Sequence, residues 1–393
     1  MEFVFPESFL FGTATSAAQI ETAHGHQFEG LEASDGFVFK RTIDHEQRRS
    51  EDLEYIRQFG STYRCSLNWA RLQPEPLAPF NREVVDEYRQ FFQELRNSDM
   101  KLMLVLYHFA HPRWFEDEGA WEQECNINYF IDFTRRCIDH FGDYISYWNT
   151  FNEPNAYVAM AYLLGRFPPF RRRKLFTADR VLRHMGAAHD VLYDLIKFSY
   201  PEAPAGIAHS VAWFDAVNWL GKIPAGLCHW WYNRRAAMPF RKTDFWGLNY
   251  YAYVPFDPRP VTEIERSGRL DKLGIKHDQM WGLRPEGLGR FLRLFAKRYN
   301  KPVMVTERGI CTEDDQKRIE AIQTDLRICR EVIDEGIDLL GYIHWSTFDN
   351  FEWLLGPSYR FGLVRINLYT KERKMTKAGE FYRQVAQNKS ISL

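Results

Sequence analysis

Two glutamates in this sequence each follow a short apolar run that has the character of a buried strand. The stretch Tyr147–Asn155 reads YWNTFNEPN; it begins with aromatic residues and ends at Glu153 and a proline. The run PVMVT, residues 302–306, leads directly to Glu307. Strands buried on both faces read as continuous apolar runs, and proline is excluded from their interior. A pair of carboxyl groups delivered by two such strands is what acid/base and nucleophilic chemistry on a sugar acetal requires.

The roles of the two carboxyl groups follow from that chemistry. Glu307 is predicted to be ionised and to attack the anomeric carbon, whereas Glu153 is predicted to carry the proton for the leaving oxygen. The charge of Glu307 should raise the pKa of Glu153 until Glu307 is esterified. The competing interpretation is that both are surface or salt-bridged glutamates. Either one alone would favour that interpretation, but two at strand ends, each followed by a break, favour catalysis.

Three other polar residues are candidates for supporting roles beside the pair. Asn152 precedes the predicted acid and is suited to bind a ring hydroxyl, and Tyr251 is suited to donate its phenol proton to Glu307. Arg64 is predicted to lie beside the same carboxylate and hold it ionised. The alternative for Arg64 is a buried structural ion pair, and such a pair would serve both purposes.

The elements that must position these residues repeat along the chain as an apolar run, a polar turn and an amphipathic helical stretch. Eight strand-like runs are predicted: Phe9–Ala14, Thr62–Leu67, Leu102–Tyr107, Tyr147–Phe151, Gly206–His209, Phe245–Leu248, Pro302–Thr306 and Leu339–Trp345. Helical periodicity is predicted for Asp52–Phe59, Asn81–Asn97, Asn126–Phe141, Ala178–Ser199, Pro285–Tyr299 and Asp314–Gly336. This alternation predicts an α/β fold, a (β/α)8 TIM barrel forming a single catalytic domain over residues 1–393. The rival, a doubly wound open sheet, lacks its glycine-rich phosphate loop, because FGTATS after the first strand is not GxGxxG.

The composition excludes several classes of partner. Among 393 residues the formal net charge is −1, so no overall field attracts nucleic acid or an anionic membrane. No apolar run is long enough to span a bilayer, and the N-terminal stretch lacks a basic leader, so no signal peptide is expected. The six cysteines form no CxxC pair and the histidines form no metal set, so a cytoplasmic protein without metal or cofactor is expected.

Ordered motifs along nearly the whole chain resemble glycoside hydrolase family 1, the β-glucosidase and β-galactosidase family. The opening FPESFLFGTATSAAQIE resembles FPxxFxxGxATSxxQxE, TFNEPN resembles the family's acid/base motif, and VTERGI resembles its ITENG nucleophile motif. Further resemblances are carried by YRCSLNWARLQP, LYHFAHPRW, DFWGLNYY, WGLRPEGL and GYIHWSTFDNFEW followed by RFGL. The family's fold is the same (β/α)8 barrel.

The resemblance implies a role for each matching residue. Glu153 would be the acid/base and Glu307 the nucleophile of a retaining double displacement. Residues matching the family's sugar-binding positions are Gln19, His108, Asn152, Glu352 and Trp353, with Trp345 as a stacking floor, and those matching the surroundings of the nucleophile are Arg64, Asn249 and Tyr251. Because the Glu352–Trp353 pair is retained, an unphosphorylated sugar is expected, since a carboxylate repels a 6-phosphate. Glucose, galactose and fucose remain open.

The sequence also departs from the family pattern. The segments 30–44 and 210–241 are compressed, which predicts a more open aglycone side. Arg308 replaces the asparagine that usually follows the nucleophile; alternation along a strand favours a structural ion pair for it over a cation that meets the substrate. The run Arg171–Lys174 is interpreted as a solvated face, with a basic pocket rim as the alternative.

These observations predict a retaining exo-β-glycosidase that acts on a small-molecule β-glucoside. Two alternatives stay open. One is an enzyme that transfers the sugar to an alcohol instead of water. The other is a non-catalytic sugar-binding relative, which would have no need for two paired glutamates. The oligomeric state and the aglycone are not predicted.

Overall fold

A computed structural model of the protein describes residues 2–256 and 270–392. Its centre is a closed barrel of eight parallel strands, each hydrogen-bonded to the next and the last to the first, which confirms the predicted fold. The barrel strands are β1 Leu10–Ala14, β2 Thr62–Ser66, β3 Lys101–Tyr107, β4 Ile145–Asn152, β5 Ala205–Ala216, β6 Phe245–Phe256, β7 Val303–Arg308 and β8 Leu339–Trp345.

A helix follows every barrel strand and covers the outside of the barrel. These helices are α1 Arg49–Ile56, α2 Arg82–Asn97, α3 Ile127–Phe141, α4 Leu175–Ser199, α5 Lys222–Trp230, α6 Glu286–Tyr299, α7 Asp315–Asp334 and α8 Lys377–Asn388. The sequence predicted six of them and missed α5 and α8. Helix α5 contains Pro224 and Gly226 and is apolar on most sides, so it lacks the polar contrast on which periodicity depends.

Shorter elements complete the architecture around the barrel. Short helices span Ala17–Ile20, Trp69–Leu72, Arg113–Asp117 and Pro154–Val158, and single helical turns span His45–Gln47, Ala120–Glu122, Glu124–Asn126, Gly142–Tyr144, Ala159–Leu163, Trp219–Gly221, Trp231–Arg235 and Trp353–Leu355. Two antiparallel strand pairs lie outside the barrel, Glu2–Val4 with Ser390–Ser392 and Val364–Ile366 with Arg373–Met375.

The hydrophobic core is divided by the barrel wall. Inward side chains such as Leu10, Met103, Met304 and Ile343 fill the interior of the barrel. Their neighbours along each strand, such as Val303, pack outward against the helices in a larger cluster. Alternation along the strands produces this division, because successive side chains point to opposite faces of a sheet.

Strand β7 continues past the predicted end at Thr306 to Arg308, so Glu307 lies within it, and β5 and β6 extend furthest beyond their predicted bounds. Strand β5 was predicted to end at His209 and β6 at Leu248, but their pairing continues to Ala216 and Phe256. The predictions ended where the continuous apolar run ended, whereas backbone hydrogen bonds extend the ladder through polar residues. As a result, Asn249 and Tyr251 lie within β6 and not in the loop after it.

No helix among the described residues is long and apolar enough to cross a membrane. All six cysteines are free thiols, and Cys65, Cys137, Cys311 and Cys329 are buried.

Candidate active site

A pocket of about 710 Å³ opens at the carboxyl ends of the barrel strands. Nine of the eleven residues that the sequence singled out line it: Gln19, His108, Asn152, Glu153, Tyr251, Glu307, Trp345, Glu352 and Trp353. The other two, Arg64 and Asn249, are completely buried immediately behind the lining residues. This is the end of the barrel at which active sites of this fold are built.

Glu307 lies one residue before the end of β7 and is surrounded by hydrogen-bond donors. The Arg64 guanidinium forms an ion pair with its Oε1, and the Tyr251 hydroxyl donates to its Oε2 over 3.1 Å. Burial raises the pKa of Glu307, while Arg64, Tyr251 and Asn249 oppose that rise by stabilising the carboxylate. Both donors predicted from the sequence therefore contact Glu307, and they orient its carboxylate toward the pocket.

Glu153 is the first residue after β4 and has a left-handed backbone conformation, with φ 44° and ψ 53°. Its amide donates to the carbonyl of Ala208 over 2.8 Å, and its carbonyl accepts from the amide of Tyr157. Burial, followed by the charge of Glu307, raises the pKa of Glu153 to about 8. Glu153 is thus held as the protonated partner of the pair, which is the state a proton donor needs.

Asn249 interacts with both members of the pair: it stabilises the Glu307 carboxylate, as the sequence predicted, and it also contacts Glu153. Its Nδ2 donates to Glu153 Oε1 over 2.9 Å and to Asn152 Oδ1 over 3.0 Å, and its Oδ1 accepts from Thr306 over 2.6 Å. The additional contact with Glu153 is not predicted by the sequence, because the resemblance carries no contact geometry. The Thr306 hydroxyl, which the sequence did not indicate, sets the orientation of the amide.

Two polar atoms in the pocket have no protein partner. His108 Nε2 faces the Asn152 amide over 2.9 Å, while its Nδ1 is buried without a partner. Burial and the nearby Arg64 lower the pKa of His108 well below its usual value, so the ring is neutral and its proton is assigned to Nδ1. Gln19 donates to the carbonyl of Phe351 over 2.8 Å, which leaves its Oε1 unpartnered. Among the described residues, the His108 Nδ1 donor and the Gln19 Oε1 acceptor therefore have no partner and can bind hydroxyl groups of a ligand.

The remaining predicted residues form one wall of the pocket. The Trp345 ring centroid lies 5.8 Å from that of His108. The Trp353 ring packs against Phe109 and Phe28, with centroids 5.1 Å and 5.2 Å away. Glu352 accepts from Gln19 Nε2 over 3.4 Å, and burial raises its pKa to about 8 with a further contribution from Glu307.

The sequence missed a second group of lining residues. They include Ser34, Met160, Tyr232, Leu270, Gln279, Met280, Leu354 and Tyr359, all outside the runs whose period predicts structure, together with Val211, Ala212 and Ala252 on the extended strands. Trp281 and Phe361 also line the pocket and belong to the quoted motifs WGLRPEGL and RFGL. Those motifs were the signal available for them.

Arg308 points away from the pocket, as strand alternation predicted. Its Nε lies 2.9 Å from Asp325 Oδ2 on α7, and its Nη1 donates to the carbonyl of Tyr250 over 3.0 Å. Both side chains of the ion pair are 2% exposed, and Arg308 does not line the pocket. The structural ion pair is therefore confirmed, and the interpretation of Arg308 as a cation that meets the substrate is wrong.

Replacing Arg308 with asparagine is expected to lower the free energy of unfolding by about 3–5 kcal/mol, because Asp325 would be left buried without a counter-charge. Urea denaturation measures the change. Replacing both partners, Arg308→Met with Asp325→Leu, should recover most of the loss. Arg293→Met is the matched control, since it breaks an exposed pair with Glu335 and should cost less than about 1 kcal/mol. Equal losses for Arg308→Asn and Arg293→Met would contradict the prediction.

The basic run Arg171–Lys174 lies outside the pocket. Its four residues are exposed and none lines the pocket, and the Arg171 guanidinium lies 3.7 Å from the carboxylate of Glu122. The solvated-face interpretation is confirmed. In the described ranges, 2–256 and 270–392, no group of three or more His, Cys, Asp or Glu side chains is placed to hold a metal ion.

Comparison with known proteins places this arrangement in context. The family model described as "Glycosyl hydrolase family 1" matches residues 1–218 and 235–391. Beta-glucosidase A of Thermotoga maritima is 28% identical over 98% of each chain. The structure of a beta-glycosidase from Pyrococcus horikoshii superimposes with a TM-score of 0.88 at 28% identity, covering 100% of this chain and 97% of the other. A galactolipid galactosyltransferase of Arabidopsis thaliana is 30% identical over 81% of this chain and 53% of its own.

Proposed function

Because this chain belongs to glycosyl hydrolase family 1 and is a glycoside hydrolase of the β-glucosidase type, we propose that it releases the terminal sugar from unphosphorylated β-D-glucosides with retention of configuration. The observation that supports this proposal is the unequal environment of two glutamates in one pocket. Glu307 receives an ion pair and a phenolic hydrogen bond, whereas Glu153 is left with an amide donor and a pKa raised to about 8. One carboxyl group is prepared to carry charge and the other to carry a proton.

The proposed reaction has two displacements. In the first, a Glu307 oxygen attacks the anomeric carbon, the glycosidic C–O bond breaks, and the Glu153 proton passes to the departing oxygen. The Arg64 ion pair and the Tyr251 hydrogen bond keep Glu307 oriented for attack. In the second, Glu153, now a carboxylate, removes a proton from water, whose oxygen displaces Glu307. Esterification of Glu307 removes its charge and lowers the pKa of Glu153, which suits Glu153 to act as a base in this step.

The proposed sugar site is neutral and binds through hydroxyl groups. The unpartnered His108 Nδ1 and Gln19 Oε1 would bond two hydroxyls, and Trp345 would stack on an apolar sugar face. Among the described residues no lysine or arginine forms an ion pair with the buried Glu352. A phosphate group bound beside Glu352 would therefore lose its hydration without gaining a counter-charge at that position. Desolvation disfavours the phosphate more than repulsion does, because a Glu352 pKa of about 8 leaves its carboxyl group largely neutral at pH 7.

A panel of nitrophenyl β-glycosides tests the proposal. The glucoside should be hydrolysed, and NMR should detect the β-anomer of glucose first. Rates for the galactoside and fucoside measure the selectivity that Glu352 and Gln19 allow, while the 6-phosphoglucoside should react poorly. A first-formed α-anomer, or hydrolysis of none of these substrates, would refute the proposal.

The pH dependence should report the protonation of Glu153. We expect kcat/KM to fall as pH rises through about 8, because Glu153 then loses the proton that the leaving group needs. Replacing Asn249 with alanine removes a donor that stabilises the ionised form, so the pKa of Glu153 should rise and the alkaline limb should move to higher pH. Thr306→Val, which keeps the Asn249 amide protons but removes the hydroxyl that orients the amide, should move the limb in the same direction by a smaller amount. An alkaline limb at the same pH in Asn249→Ala would contradict this assignment.

Sugar transfer to an alcohol is a second candidate, which the galactosyltransferase relative favours. The chemistry is the same except that an acceptor hydroxyl replaces water in the second displacement. Adding a primary alcohol and analysing the products distinguishes the two reactions. A predominance of the alkyl glucoside at low acceptor concentration would identify a transferase.

We also propose a cytoplasmic location. It is supported by six thiols, of which none is paired in a disulfide.

A further inference from the structure

A helical segment at the barrel mouth exposes an unusual number of large apolar side chains. We call residues 219–235, which run from the turn at Trp219 through α5 to the turn ending at Arg235, the rim helix. Trp219 is 76% exposed, Ile223 76%, Leu227 61% and Trp230 47%. Their spacing of four, four and three residues places them on one side of a helix. Leu220, 53% exposed, extends the same patch.

The chain segment that carries this apolar face contains basic residues and no acidic ones. Between Asp215 and Asp244 the sequence has no acidic residue and five basic ones, of which Arg235, Arg241 and Lys242 form ion pairs with aspartates of α4. Lys222 and Arg234 are exposed, and among the described residues no carboxylate forms an ion pair with either.

Neighbouring elements add to this positive charge. Burial lowers the pKa of His229 on the rim helix, and the positive charges of Arg290 and Arg298 on α6 lower it further. The nearby acidic groups are already neutralised, since Asp215 pairs with Arg284 and Asp179 pairs with Arg235.

The rim helix is continuous with the wall of the active-site pocket. It begins where β5 and β6 end side by side, with Ala216 opposite Phe256. Tyr232, within the helix, lines the pocket, and its hydroxyl donates to Ser210 over 2.9 Å. The adjoining pocket wall is apolar and includes Val211, Ala212, Ala252, Leu270 and Met280. The rim helix therefore borders the pocket through Tyr232.

We propose that the rim helix docks the protein on the surface of an anionic lipid bilayer and that the pocket accepts the sugar of a membrane glycolipid. Tryptophan and aliphatic side chains on one face, flanked by lysine and arginine, are the features of a helix that lies in a lipid interface. The substrate class rests on the proposed glycosidase function, whereas the docking does not. The net charge of −1 predicted no membrane partner, but docking depends on the local charge at one face.

Vesicle sedimentation tests the docking. Wild-type protein should bind vesicles of equimolar phosphatidylglycerol and phosphatidylcholine, bind phosphatidylcholine alone more weakly, and dissociate as salt increases. The triple variant Trp219→Gln, Ile223→Gln, Leu227→Gln should bind these vesicles at least roughly tenfold more weakly than wild type. The charge variant Lys222→Glu, Arg234→Glu should lose the preference for anionic vesicles.

Phe198→Gln is the matched control for the triple variant. Phe198 is 89% exposed and lies near the C-terminal end of α4, at the end of the barrel opposite the pocket. Replacing Phe198 should therefore leave vesicle binding unchanged. No binding of wild-type protein, or equal losses in Phe198→Gln and the triple variant, would overturn the docking. A wild-type dimer that the triple variant dissociates, without vesicle binding, would identify the face as an interface between copies and would also overturn it.

Two substrates separate the docking from the catalytic proposal. On a β-glucosyl diacylglycerol in anionic vesicles, the triple variant should be at least about tenfold slower than wild type. On soluble nitrophenyl β-glucoside the two should be equal, because none of the three side chains lines the pocket. Hydrolysis of the soluble substrate without any hydrolysis of the glycolipid overturns the substrate class. Absence of both activities refutes the proposed function, while vesicle binding still decides the docking.

Discussion

Replacing Glu307 with alanine is expected to reduce kcat for nitrophenyl β-glucoside by roughly 10⁴-fold or more, because no other group in the pocket can form the bond to the anomeric carbon. Arg64 and Tyr251 would then surround an empty space where they now hold the carboxylate. Steady-state kinetics measures the loss. A variant that keeps more than about a tenth of wild-type kcat would contradict the assignment of the nucleophile.

Azide gives this prediction a second readout. In Glu307→Ala, azide can enter the vacated space and attack the anomeric carbon while Glu153 protonates the leaving oxygen, and the expected product is α-glucosyl azide. Glu307→Gln fills the same space with an amide, so azide should not restore its activity. Glu380→Gln changes an exposed glutamate on α8 and should keep full activity. Rescue that yields β-glucosyl azide would show that Glu307 is not the group that attacks.

Replacing Glu153 with alanine should have an effect that depends on the leaving group. Alkyl β-glucosides, whose departing oxygen needs a proton, should react roughly 10²–10⁴-fold more slowly. A dinitrophenyl glucoside leaves without protonation, so its first displacement should be nearly unchanged. The second displacement loses its base, and a burst of phenol should therefore precede slow turnover. Rapid-quench kinetics on both substrates measures the difference.

The alkaline limb provides the control for Glu153. In wild type it should lie near pH 8, because burial and the charge of Glu307 raise the pKa of Glu153. In Glu153→Ala the group that titrates is absent, so the fall of kcat/KM above pH 8 should disappear for the alkyl glucoside, whose departing oxygen needs the proton. Equal slowing of alkyl and dinitrophenyl glucosides, or an unchanged alkaline limb, would assign the proton to another residue.

Much of the site could be predicted because chemistry and architecture coincide in the sequence. The two glutamates stand out since a charged residue rarely ends a buried apolar strand without a function. Eight alternating runs predicted the barrel, and the barrel predicted that residues at the strand ends meet. Gln19 and His108 stand out as polar residues after strand-like runs, and the resemblance to the family added their role in sugar binding. Nine of eleven predicted residues line one pocket for these reasons.

Contacts between distant segments could not be predicted. Asn249 donates to Glu153 across 96 residues and Arg308 pairs with Asp325 on the following helix. The rim helix was overlooked, because its sequence is apolar on most sides and so lacks the contrast between faces that periodicity detects. Solvent exposure depends on the tertiary structure, and the same apolar residues in a buried helix would be part of an ordinary hydrophobic core.

The sequence by itself determined which residues could do the chemistry and which strands carry them. Only the tertiary structure decided the direction in which the two glutamates point. In β7, Val305 pairs with Leu248 and Glu307 pairs with Asn249, so β7 has one more residue than β6 over this stretch. In β4, Asn149 pairs with Gly206 and Asn152 pairs with Ala208, so β4 has one more residue than β5. An extra residue is a bulge that resets side-chain alternation. In β7, where Met304 points inward, strict alternation would turn Glu307 outward. The bulge turns it into the pocket, and bulges form through pairing with neighbouring strands, which a single strand's sequence does not specify.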